Sequence, residues 1–229
     1  MKEKEKKTKS IIFANLMVIA ILITSSIAIG ESISSEKKVA EKNDSDFLDQ
    51  IVSILSEEFK DNPDIIISNT GITVDGTKYD FGEIQEPKVV EKKISKENDI
   101  TITKISIDGG ILLKTNDPQP QSSYGIYFGT YLVYATMYGL PQFYTRAVGF
   151  FVFLQGYQHV IDLSSAKSLR WGWEKTYFNS WNDISQAGGY IHADATFKNV
   201  IPWHQYRAWA KVFCLPDGTI FRSGDITEI

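Results

Sequence analysis

The chain has 229 residues, a formal net charge of −4 and 13% aromatic side chains. Without its basic opening the remainder stands near −7, a balance that argues against a nucleic-acid-binding surface. Cys214 is the single cysteine, which excludes an intrachain disulfide and leaves stability to burial, a partner or a metal. Its expected place is the interior, as a small buried hydrophobe.

Met1 to Ser10 carries Lys2, Lys4, Lys6, Lys7 and Lys9 against Glu3 and Glu5, ahead of an uncharged run from Ile11 to Gly30. A basic flank before an apolar run is the order of a secretory signal. Residues 1–30 are therefore read as a signal peptide cut after the small-x-small triplet Ala28-Ile29-Gly30. The alternative is an uncleaved anchor, since the run is about long enough to span a hydrocarbon core with its lysines on the cytoplasmic side. The expected product is secreted, or held on the outer face of the cytoplasmic membrane with residues 11–30 as its membrane contact. Residues 31–44 are polar and charged and read as a flexible tether.

Residues 45–116 are expected to form one helix followed by a β-rich region. Asp44 or Ser45 caps a segment in which Phe47, Leu48, Ile51, Val52, Leu55 and Phe59 recur at helical spacing, ending before Asn62-Pro63. Ile65-Ile66-Ile67 and Ile72-Thr73-Val74 then read as strands, and Asp75-Gly76 before Thr77-Lys78-Tyr79 is a strong hairpin signal. Pro87 to Asp99, dense in lysine and glutamate, reads as a solvated strand edge or loop. The apolar parity changes between Ile100-Ile102 and Ile105-Ile107, which predicts a bulge or twist near Lys104.

Residues 117–123 hold Pro118 and Pro120 among small polar residues and read as a linker. Every tryptophan and all tyrosines but Tyr79 follow it, so residues 124–229 are taken as an aromatic-rich β domain. Tyr124 to Thr145 and Ala147 to Gln158 lack charge, and glycines with Pro141 favour two core strands joined near Gly139 over a spanning helix. A membrane-inserting hairpin would alternate apolar with polar residues. Here Tyr127, Tyr131 and Val133 share one parity and Phe128, Leu132 and Tyr134 the other, so burial on both faces is expected.

Leu169 to Glu174, followed by Tyr177, Phe178 and Trp181, concentrates aromatic surface among charges. On a strand Trp171 and Trp173 would point the same way, and paired indoles stack on sugar rings or grip an aromatic or peptide ligand, with Arg170 and Glu174 at the edges. The competing expectation is that these rings fill a core. Tyr190 to Lys198 alternates cleanly, with His192, Asp194, Thr196 and Lys198 on a face expected to be solvated and Ile191, Ala193, Ala195 and Phe197 opposite. His192 and Asp194 could share a metal, or the carboxylate could orient the imidazole, with His204 or His159 and Asp162 completing a site. Tyr206, Ala208, Ala210, Val212 and Cys214 form one face of a further strand, and the two small alanines imply a close neighbour. Arg207, Trp209, Lys211 and Phe213 form the other.

The expected fold is mainly β, an antiparallel sandwich or barrel-like core with one N-terminal amphipathic helix. The expected function is a binding module that meets a glycan, a cell-envelope component or a protein through Trp171, Trp173, Trp181, Trp203 and Trp209. No nucleic-acid partner, cofactor or metal is assigned. One alternative is a secreted hydrolase or metal-dependent enzyme using His192 and Asp194, with His204. Another is a membrane-active toxin or bacteriocin-like protein working through Tyr124 to Gln158. No metalloprotease helix motif, phosphate loop or nucleophile elbow is present in the sequence, so no reaction class follows from it.

Overall fold

The helical spacing that begins at Phe47 produces the helix α1, Asp44–Glu58. Phe47, Ile51, Ile54 and Leu55 on it are buried, as is Phe59 just beyond. The computed structural model describes residues 44–115, 124–200 and 204–229, and the chain divides into two units, Met1–Asp61 and Asn62–Ile229. Residues 1–30, the expected tether apart from Asp44, the linker 117–123 and Trp203 lie outside the described residues.

The second unit is mainly β, as expected, and all of its strands pair antiparallel in two sheets. The larger sheet curls as a half-barrel. It runs in the order β1 (Ile65–Ser68), β2 (Gly71–Val74), β3 (Thr77–Glu97), β4 (Ile100–Thr115), β5 (Gly125–Met137), β6 (Leu140–Leu154) and β7 (Tyr157–Asp162), with β8 (Ser165–Ser168) also on β6. The smaller sheet comprises β9 (Trp173–Ser185), β10 (Gly188–Asn199), β11 (Gln205–Cys214) and β12 (Ile220–Glu228), in the order β12-β11-β10-β9. The Asp75-Gly76 hairpin forms with both residues at positive φ, 50° and 80°, the backbone that a two-residue turn between twisted strands requires. On either side of residues 116–123, β4 and β5 are direct neighbours, with Leu112 opposite Gly125.

The parity change in β4 is not a bulge. Its register with β5 is unbroken from Thr101 opposite Thr136 to Leu112 opposite Gly125. Ile100 and Ile102 belong to the core between the sheets, while Ile105 and Ile107 are buried on the opposite face. A sheet covered on both faces accepts apolar residues at either parity, so the pattern shifts while the backbone stays regular. The irregularities in the pairing of β4 with β3 fall on β3, at Phe81/Ile84, Gln85/Lys88 and Val89/Glu91. From Lys88 onward β3 is exposed, as its charge predicts, and its lysines are the residues that blunt a strand edge against further pairing.

The uncharged stretch after Tyr124 forms the hairpin β5–β6, closed at Tyr138-Gly139. Tyr127, Tyr131, Val133, Phe143, Ala147, Phe151 and Phe153 enter the core between the sheets, and Ile126, Phe128, Phe150 and Val152 are buried on the other face. Burial on both faces is therefore the observed state. Phe143 anchors the core: its ring lies 4.4 Å from Phe197, 4.8 Å from Trp173 and 5.9 Å from Tyr206, centroid to centroid. Such pairs contribute about 0.5–1.5 kcal/mol each beyond the area they bury.

Small residues set the spacing of the sheets. Ala193, Ala195, Ala208 and Ala210 are fully buried, as the small face of β11 implied. A Cβ on Gly129 would come within 2.7 Å of Val212, and one on Gly149 within 2.2 Å of Ile191. Charges close the core where β4 meets β12: Lys104 pairs with Asp225 at 2.9 Å, and Arg222 with Asp108. Cys214 is fully buried, and burial first, then the charge of Asp217, pushes its thiol up to about 12. The expected small-hydrophobe role is the one it has.

Candidate functional site

Alternation along β10 and β11 sends Ile191, Ala193, Ala195 and Phe197, with Tyr206, Ala208, Ala210, Val212 and Cys214, into the core. The opposite parity therefore points outward: His192 and Asp194 from β10, Arg207, Trp209 and Lys211 from β11. The register brings Trp181 of β9 opposite His192 and sets Trp209 opposite Asp194. The outcome is a row of rings. Trp181 lies 3.9 Å from His192 at 33°, His192 lies 6.1 Å from Trp209, and the Lys211 ammonium stands 5.8 Å over the Trp209 ring.

This face is not the solvated surface expected of it. His192 is 8% and Asp194 6% exposed, because indoles from the two neighbouring strands cover the imidazole and a guanidinium covers the carboxylate. Arg207 Nε donates to both Asp194 oxygens, at 3.1 and 3.0 Å, and Nη2 adds a third bond. That fork fixes Arg207 across the sheet and leaves the carboxylate committed to it rather than to His192. His192 Nε2 has no hydrogen-bond partner among the described residues. Leaving such a group buried and unpaired costs about 1–3 kcal/mol.

Burial lowers the His192 pKa, with Lys211 acting the same way, Asp194 opposing and Arg207 adding to the fall. The folded imidazole is thus harder to protonate than the unfolded one, whose value is near 6.5. Stability linked to His192 is fully present above that value and is lost as pH falls below it toward the folded pKa. Thermal unfolding at pH 7.5 and pH 5 is expected to show a lower Tm at acid pH, and a smaller drop in His192→Gln. An unchanged drop in the variant would assign the acid sensitivity elsewhere.

The other predicted residues are dispersed. Trp171 and Trp173 are not side by side on a strand: Trp171 lies in the β8–β9 turn and is 94% exposed, while Trp173 opens β9 and is 8% exposed, packed on Phe143 and Tyr206. Gly172 between them has φ 90°, a turn conformation that breaks the period of two. His204 binds Glu228 through Nδ1. It stands seven residues along β11 from the partner of His192, about 23 Å at strand rise. His159 belongs to β7 in the other sheet, opposite Val152, and Asp162 accepts the Ser164 amide at 2.9 Å. His192, His204 and His159 are therefore not brought together. Among the described residues no three His, Cys, Asp or Glu side chains are grouped so as to hold a metal ion.

Sequence reasoning did not assemble Trp181, His192, Trp209, Asp194 and Arg207 as one face. The usable signal was alternation in β9, where Tyr177, Asn179, Trp181 and Asp183 share a parity. No family model, curated protein or solved structure matches the chain.

Proposed function

We propose that the protein is a binding module, exported and displayed outside the membrane, that meets a glycan or cell-envelope ligand on the outer face of its smaller sheet. The observation that carries this reading is the row Trp181–His192–Trp209 flanked by the Arg207–Asp194 fork. Indole faces offer broad, flat apolar contact to sugar rings, and fixed polar groups beside them supply orientation. Export rests on the basic flank and apolar run of residues 1–30, with release after Gly30 or retention by residues 11–30 as its two forms.

A glycan array and a cell-wall pull-down test the reading. Trp209→Ala is expected to weaken binding at least about 30-fold, the loss typical of truncating an aromatic hot spot. Trp181→Ala should lose a similar amount. A parent chain that retains no glycan or wall polymer, or folded variants that bind like the parent, would remove this reading.

A further inference from the structure

A different part of the same unit presents the most exposed rings among the described residues. The β5–β6 turn carries Tyr138, 90% exposed, and Leu140 opens β6 beside it; the β8–β9 turn carries Leu169 and Trp171; Val200 follows β10. Hydrogen bonds join these turns into one end. The buried Gln142 side chain donates to the carbonyls of Leu140 and Met137 at 2.7 and 3.4 Å, and the Gln142 backbone carbonyl accepts the Leu169 amide at 2.7 Å. The Val200 amide donates to Gly172 at 2.9 Å. The apolar tips are thus held in place from beneath.

Tyr138 adds an independent observation. Among the described residues, three non-glycine residues have positive φ: Asp75, Asn98 and Tyr138. Aspartate and asparagine tolerate that conformation, whereas a bulky aromatic residue there is an outlier. The two-residue turn imposes this φ, as it does on Asp75, but it does not call for a tyrosine, and the ring projects almost wholly into solvent. An exposed aromatic ring where such a turn favours asparagine, aspartate or glycine points to a use outside the fold.

We infer that this end is a docking surface for a lipid bilayer, entered shallowly by Tyr138, Leu140, Leu169 and Trp171. Trp and Tyr with aliphatic neighbours are the side chains that favour the boundary between headgroups and acyl chains. The tips protrude from separate turns, a shape suited to a deformable surface. Arg170 is the only charged residue within 138–140 and 169–171, and its cation complements anionic headgroups. The hairpin strands stay in the sandwich and only their turn makes contact, so the surface differs from a pore-forming hairpin. It is also distinct from the proposed glycan face: Trp181 stands eight residues up β9 from Trp173, about 26 Å.

The test uses the full chain with vesicles of phosphatidylcholine and phosphatidylglycerol, with and without brominated acyl chains. The emission lost in Trp171→Phe isolates the Trp171 signal. Brominated lipid is expected to quench that share at least about twofold, as for an indole at the acyl boundary. Tyr138→Asn should lower the partition coefficient roughly fivefold while Tm stays the same or rises, because asparagine relieves the backbone. A purely structural tyrosine would not move binding and stability in opposite directions. Failure to partition, unchanged partition of Tyr138→Asn, or an unquenched Trp171 on vesicle-bound chain each overturns the inference. The last outcome would leave residues 11–30 as the membrane contact and the turns to a protein partner.

Discussion

Trp173→Ala is expected to lower the free energy of unfolding by about 3–5 kcal/mol, and Trp171→Ala to change it by less than about 0.5 kcal/mol. The two indoles are separated by one glycine, and only one is inside. Trp173 packs 4.8 Å from Phe143 and 5.7 Å from Tyr206, so its removal deletes apolar contacts and leaves a void that the close-packed sheets cannot fill. Trp171 has almost no contact to lose. Urea unfolding of the two variants measures the contrast, and equal, small effects would show that Trp173 belongs to the surface after all.

Gly149→Ala should cost about 2–3 kcal/mol, a fall of roughly 5–10 °C in Tm. A Cβ at this position would stand 2.2 Å from the Ile161 carbonyl oxygen in β7 and 2.2 Å from Ile191 Cδ1 in the facing sheet. The first obstacle is backbone within the same sheet and the second is the core across from it, so the added methyl has nowhere to go. Ile191→Val removes Cδ1 alone. Adding it to Gly149→Ala should recover part of the loss, and Tm values that ignore both changes would mean the sheets are not held at this spacing.

What was legible in the sequence follows from periodicity within single strands. The clean alternation of β10 and of β11 located the buried face of the smaller sheet, down to Phe197 and Cys214, because the side-chain period of two needs no knowledge of neighbours. The mixed parity of the β5–β6 segment revealed burial on both faces for the same reason. Asp75-Gly76 marked its turn through the backbone that only a few residue types adopt easily. Misreadings arose wherever a partner decided the outcome. Alternation alone predicts a solvated outer face for β10, because what covers His192 and Asp194 comes from Trp181, Trp209 and Arg207 on other strands. Cross-strand register sets those contacts, and alternation says nothing about register. Trp171 and Trp173 part for a different reason: the period of two holds only along a strand, and Gly172, at positive φ, marks a turn.

Cys214 gives the molecule a built-in clock. A thiol wholly enclosed between the sheets, and held protonated far above neutral pH, meets no oxidant while the sandwich is shut. In an oxidising medium this sulfur therefore need not link one copy to another. The same enclosure means that alkylation of the single cysteine counts openings of the core, one event per chain, and reports how long the closed state lasts.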